Sequence, residues 1–263
     1  MSLNDKVVLV TGASSGIGAA IAIKFASEGA KVAIVGRNEK KLSNVANRLQ
    51  AVGSTPLVIN ADVAKDDDAK RIVSETIGHF SKLDVLVNNA GIGNIATIVQ
   101  ENTMDVYDQV MGTNLRAPVH LIHLASPHLI ESKGNVINVS SIASKCVISD
   151  NNLAYGASKA ALDHCTKYIA FELAPKGVRV NTINPGYVRT DILEKIVQNE
   201  DFENLIWKSM MNSSPMHRLC ETDEIADLAL FLASDKAKGI TGASYVIDSG
   251  ALLLGGKRPP LES

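Results

Sequence analysis

Seven short runs rich in Val and Ile recur along the 263-residue chain, at Val7 to Thr11, Lys31 to Gly36, Pro56 to Asn60, Val85 to Asn88, Asn135 to Val139, Val178 to Asn184 and Ser244 to Ile247. Most are continuously apolar, the pattern of strands buried on both faces. Between them lie amphipathic stretches of helical length, among them Gly16 to Ser27, Glu39 to Ala51, Asp66 to Phe80, Thr103 to His123, Ala154 to Ala174 and Thr222 to Ala233. Strand and helix taking turns in this way predicts an α/β fold, a parallel sheet with helices on both faces. No linker, internal repeat or low-complexity segment divides the chain. Residues 1–263 are therefore expected to form one domain, with 190–216 as an insertion and 255–263 as a tail.

Composition narrows the classes of function. With 46% hydrophobic and 21% charged residues a core is affordable, which excludes disorder and a disulfide-held miniprotein. Lys and Arg number 26 against 28 Asp and Glu, and no basic run reaches five. Nucleic acid and anionic membranes are not expected as partners. Cys146, Cys165 and Cys220 form no CxxC or Cys/His pattern, so neither disulfides nor metal are implied. The start, MSLNDKVVLVTG, has no signal-peptide pattern, and no apolar run approaches the ~20 residues of a membrane span. A soluble, cytoplasmic protein is the expectation.

The first strand runs into TGASSGIG, residues 11 to 18, where a helix begins. Gly12 suits the tight turn, and Gly16 and Gly18 lack a Cβ that would hold off a pyrophosphate or a neighbouring strand. Ser14, Ser15 and Ile17 complete the loop, and the helix start offers unpaired N–H groups and a positive dipole end. This is an anion site at a strand end. Gly12, Ser14 and Gly16 also spell GxSxG, a serine nucleophile elbow, but that chemistry needs a later acid and a loop histidine. Only His217 falls on a plausible loop.

The end of the second strand bears on the cofactor. An acid about 20 residues past the glycines would accept from the ribose hydroxyls of NAD; Gly36 stands there, followed by Arg37 and Asn38. A guanidinium is the natural fork for a 2′-phosphate, so NADP(H) is expected over NAD(H). Asp62 could accept from the adenine amino group while Val63 packs on the ring. Asn88, Asn89, Ala90 and Gly91 place small residues where a cofactor would lie close.

Tyr155 and Lys159 are four apart in a helix-like segment, so both project from one face. An ammonium near a phenol favours the phenolate and lowers its pKa from about 10. The preceding strand ends in Ser140 and Ser141, and Ser141 can hydrogen-bond a substrate oxygen.

TGASSGIG, NNAG, Asn114, VSS, YGASK and NPGYVRT, in that order over about residues 5 to 250, resemble the classical short-chain dehydrogenase/reductase family. The resemblance implies a Rossmann-type doubly wound domain with a seven-stranded parallel sheet, a nicotinamide cofactor and an Asn, Ser, Tyr, Lys tetrad. On this chain Asn114 would hold a water linked to Lys159, Ser141 would orient a carbonyl, and Tyr155 would be the acid or base. Lys159 would also bind the nicotinamide ribose, and Pro185, Gly186, Val188 and Thr190 would flank the nicotinamide amide. Ser141 lies 14 residues before Tyr155, one more than is commonest in the family, which keeps Ser140 as a second candidate. The last strand ends in Asp248, Ser249, Gly250 where the family has an acid and two glycines. That region belongs to a subunit interface in the family, and a homotetramer is implied.

Residues 191 to 211 carry Ile192, Ile196, Val197, Phe202, Leu205, Ile206 and Met210 at helical spacing beside Trp207, with only Lys195 and Lys208 as cations. This reads as an apolar substrate lid or, equally, as core packing. As a lid it suits reduction of a medium or bulky hydrophobic carbonyl such as a steroid-like ketone, and having only two cations it argues weakly against an anionic carrier-linked ketoacyl substrate. A 3-oxoacyl reductase, a promiscuous carbonyl reductase and a non-catalytic NADP(H)-binding regulator are the other readings.

Overall fold

The computed structural model describes residues 3–190 and 200–255. The strands are β1 (Val7–Thr11), β2 (Lys31–Gly36), β3 (Leu57–Asn60), β4 (Val85–Asn88), β5 (Asn135–Val139), β6 (Arg179–Pro185) and β7 (Ser244–Ile247). They form one sheet in the order β3-β2-β1-β4-β5-β6-β7, every neighbouring pair parallel. This is the single doubly wound, Rossmann-type domain expected. The helices are α1 (Gly16–Ser27), α2 (Glu39–Ala51), α3 (Asp66–Phe80), α4 (Thr103–Met111), α5 (Ala117–Ser132), α6 (Leu153–Leu173), α7 (Glu200–Asn212) and α8 (Thr222–Ala233).

Alternation within each strand builds the two halves of the core. Val8, Val10 and Ile34 point to one face, where Ile21 and Phe25 of α1, Leu42 of α2 and Leu230 of α8 cover them. Val7, Leu9 and Val35 point to the other, against Ile72 of α3, Leu121 and Leu129 of α5 and Leu173 of α6. Both faces are thus dry, which is why the strands read as unbroken apolar runs. A third, smaller cluster joins Ile142, Tyr187, Trp207, Met210 and Ala251 beneath α7.

The helix expected over Thr103 to His123 is in fact two. After α4 the chain makes a π-helical turn, Gly112–Arg116, and resumes as α5, which runs on to Ser132 and contains Pro127. The wide turn carries Asn114 to a fully buried position, where it both accepts from and donates to the Ile92 backbone at 2.9 Å. Inserting a residue into a helix rotates everything beyond it, and such turns recur at functional sites. Within the expected insertion, α7 supplies the helix implied by the spacing of Leu205, Ile206 and Met210; 191–199 and 256–263 lie outside the described residues.

At the N-terminal edge of the sheet, buried Asp84 precedes β4 and accepts from the Val7 amide at 2.9 Å and from the Lys6 and Lys82 ammonium groups at 3.0 Å each. Burial alone would raise its pKa, but the amide and the two cations outweigh it and hold the carboxyl below its usual value. Asp84→Ala is expected to cost about 2–4 kcal/mol in urea unfolding at pH 7. Because the folded pKa is the lower one, this contribution should be complete above the unfolded carboxyl's pKa and vanish as pH falls through the folded value. Equal unfolding midpoints for the two proteins at pH 7 would refute the clamp.

Candidate active site

The chain leaves β1 toward β2 and β3, then crosses to β4, so the crevice opens between the C-terminal ends of β1 and β4. Open α/β sheets bind ligands at this switch point. A cleft of about 1290 Å³ lies there. Its floor is held by hydrogen bonds between the two strand ends: Thr11 Oγ1 accepts from the Asn89 and Ala90 amides at 3.1 Å, and the Asn89 side chain donates to the Thr11 and Gly12 carbonyls at 3.0 and 3.1 Å. Gly12 has φ +64°, and a Cβ there would stand 2.7 Å from the Ala90 Cα. At Gly18 a Cβ would meet the Asn89 amide and the Gly12 carbonyl at 2.4 Å. Only glycine permits this approach.

Ser14, Ser15, Gly16 and Ile17 line one side of the cleft. Ser15 at the N-cap makes no side-chain cap bond and the first turn of α1 carries no acid, so the helix end offers amide donors and a positive dipole end. Arg37, Asn38, Asp62 and Val63 line the far end. The Arg37 guanidinium is 60% exposed and 3.8 Å from the Asp62 carboxylate. Asn38 caps α2 by accepting from the Lys41 amide at 3.0 Å. Lys40 and Lys41, not singled out in the sequence, line the same end. Ala90, Gly91, Pro185, Gly186, Val188 and Thr190 complete the wall. A glycine cradle, amide donors and cations suit a dinucleotide phosphate.

Three expected cofactor or catalytic residues stand outside that wall. Gly18 serves the packing just described, and Asn114 is clamped on Ile92. Asn88 is buried with its amide donating to Asn138 at 2.9 Å, in a polar ladder that continues to Thr166 of α6. No histidine lines the cleft among the described residues, so Ser14 has no base and the nucleophile reading loses its chemistry.

Across the cleft, α6 presents Tyr155 and Lys159 on one face, the ammonium 5.7 Å from the ring centroid. The turn after β5 distinguishes the two serines. Ser141 lines the cleft with Tyr155 and acts on its phenol, favouring the phenolate, whereas Ser140 donates to the Lys159 carbonyl at 3.3 Å. The expected lowering of the phenol pKa is not what the geometry produces. Burial pushes Tyr155 above its usual value, and the Ser141 hydrogen bond draws it only partly back. The Lys159 ammonium instead donates to the Val139 carbonyl at 2.9 Å. Burial lowers its own pKa to about 8, against the opposing pull of Asp163. Gly91 touches both neighbours, since a Cβ there would lie 3.3 Å from Asn114 Oδ1 and 3.6 Å from Lys159 Nζ.

Beyond Tyr155 the cleft is walled by Ile92, Ile148, Ile206, Trp207 and Met210, with Ser149, Asn151 and Asn152 as polar members of the same wall. The exposed Arg189 guanidinium lies 5.4 Å over the Trp207 ring. Among the described residues no group of acids, histidines and cysteines could hold a metal, and no helix is long and apolar enough to cross a membrane.

A family model described as Enoyl-(Acyl carrier protein) reductase matches residues 12–251. The chain belongs to the classical short-chain dehydrogenase/reductase family. A 3-oxoacyl-[acyl-carrier-protein] reductase FabG of Staphylococcus epidermidis is 35% identical over 248 residues, 94% of this chain and 98% of that protein. A short-chain dehydrogenase/reductase of Caenorhabditis elegans, solved with its cofactor, superposes with a TM-score of 0.89 at 34% identity over 95% of this chain and 96% of that one. A 7α-hydroxysteroid dehydrogenase complexed with NADH and 7-oxo glycochenodeoxycholic acid gives 0.84 at 29% identity, with 95% of each chain covered. This short-chain dehydrogenase/reductase is accordingly an oxidoreductase of the type that interconverts carbonyl and alcohol, and its cleft fits the dinucleotide its relatives bind.

The buried Lys159 has a consequence for stability. Between its folded pKa of about 8 and its ordinary value of 10.5 the unfolded chain binds the extra proton, so this group makes stability rise with pH across that window. In Lys159→Met that component should disappear from unfolding free energies measured between pH 7 and 10.5. A curve parallel to that of the unmodified protein would show Lys159 to be solvated.

Proposed function

We propose that the protein reduces the carbonyl of a 3-oxoacyl thioester to a hydroxyl with NADPH. The carrying observation is the Ser141, Tyr155, Lys159 cluster, in which burial keeps the phenol protonated beside a cation. NADP(H), when bound, supplies the hydride. Tyr155 donates its proton to the carbonyl oxygen as negative charge develops there, and Ser141 orients that oxygen by hydrogen bonding. Lys159 stabilises the phenolate left behind and would hold the nicotinamide ribose. Asn114, buried beside Gly91 and Lys159, would hold the water that relays the replacement proton.

The curated 3-oxoacyl reductase relatives support this substrate class. So does exposed Arg189, stacked over the Trp207 ring that lines the cleft, a cation that can meet the anionic part of an acyl carrier. A second reading, a bulky hydrophobic ketone such as a steroid, is favoured by the apolar members of that wall and by the hydroxysteroid dehydrogenase likeness. In both readings the 190–216 insertion acts as lid, with Ile206, Trp207 and Met210 facing substrate.

Assayed with NADPH against acetoacetyl-coenzyme A and a steroid ketone, the protein should turn over the thioester faster. Tyr155→Phe should lose about 10²–10⁴-fold in kcat. Turnover that survives Tyr155→Phe would refute the mechanism, and a faster steroid would transfer the assignment to the second reading.

NADPH preference rests on Gly36 in place of an acid and on Arg37, Lys40 and Lys41 at that end of the cleft. Arg37→Glu is expected to lower kcat/KM for NADPH about 10²-fold and to improve NADH relative to it. An unchanged preference would overturn the assignment of the 2′-phosphate site.

A further inference from the structure

Asp163 lies on α6 four residues beyond Lys159 and eight beyond Tyr155, on the same helical face. It is 8% exposed, and nothing in the chemistry above uses it. Its carboxylate accepts from Ser144 Oγ at 2.7 Å, from the Asn184 amide at 2.8 and 3.1 Å, and from the Lys145 ammonium at 3.3 Å. Two of these donors also lie within hydrogen-bonding reach of the Ser141 backbone carbonyl: the Asn184 amide at 3.2 Å and Ser144 Oγ at 2.7 Å, whose single proton serves either the carbonyl or the carboxylate. The carboxylate therefore gathers α6, β6 and the turn after β5 behind the one serine that meets the phenol.

We propose that Asp163 is a positioning residue of the active site, fixing the Ser141 turn and placing a negative charge one helical turn from Lys159. The proposal rests on the assignment of Ser141, Tyr155 and Lys159 as the reacting cluster. The Ser144 and Asn184 donors need only hydrogen-bond acceptance, which a neutral amide also offers, and among the direct partners Lys145 alone is a cation. A charge is placed instead, one helical turn from a buried ammonium. Lys159 faces Tyr155 and Asp163 from its own helix, the Val139 carbonyl from β5, and the uncharged Asn114 and Gly91 packed beside it. Asp163 itself faces Lys145, Ser144 and Asn184. The negative charge opposes the desolvation that lowers the Lys159 pKa.

Asp163→Asn and Asp163→Ala separate charge from shape. In the cofactor-free protein, Asp163→Asn should move the lower edge of the Lys159-dependent rise in stability down by roughly one pH unit, the upper edge staying with the unfolded lysine, and this effect should vanish in a Lys159→Met background. With NADPH and acetoacetyl-coenzyme A, the alkaline limb of kcat/KM should shift down in parallel. Asp163→Ala should fall about tenfold below Asp163→Asn in kcat, because the amide still accepts from Ser144. A stability window and an alkaline limb both unmoved in Asp163→Asn, or equal kcat in the two variants, would overturn the proposal. Tyr155→Phe, run beside them, keeps the layers apart. Turnover surviving in it removes the active-site assignment and the role of Asp163 together. Turnover lost in it, with an unmoved limb in Asp163→Asn, removes the role of Asp163 alone.

Discussion

The contact between the ends of β1 and β4 is the constraint on which the site depends. The Thr11 hydroxyl and the Asn89 side chain tie the two turns together, and Gly12 and Gly18 allow the backbones to come within reach. Without that closeness the start of α1 would not face the crevice, and the phosphate cradle would lie out of line with α6. The topology contributes the rest, since α1 and α2 pack on one face of the sheet and α3, α5 and α6 on the other, leaving the strand ends open between them.

On the other wall, desolvation governs the chemistry. A half-buried phenol and a buried ammonium respond in opposite directions, one more reluctant to lose its proton and the other more willing. Nearly equal in water, their pKa values are thereby driven apart, so that the phenol holds its proton more tightly than the ammonium beside it. Serine and aspartate fine-tune the pair from either side, but the low polarity of the wall sets the range.

Most of the fold was legible because parallel strands buried on both faces write themselves as apolar runs, and the strand ends were misplaced by a residue at most, as at Pro56 and Val178. The glycine cradle and the Tyr155 and Lys159 pair were legible for a similar reason: local spacing determines them. What escaped is non-local. Nothing in the spacing of residues 103–132 announces a π turn, because the apolar stripe continues on either side of it. Asn88 and Ala90 look alike as strand-end residues, yet alternation turns the first into the sheet interior. The preference between Ser140 and Ser141 depends on which way the turn after β5 rotates. Asp163 left a faint signal, its place four residues past Lys159, but its partners Ser144 and Asn184 come from other elements and meet only in three dimensions.

The Asp84 clamp sits at the opposite end of the sheet from the cleft. Anchorage and chemistry are therefore divided between two rims of one sheet. The loops at the working rim can be rewritten for new substrates while the other rim keeps the strands in register, so a family built this way can diversify in what it accepts without having to rediscover how to fold.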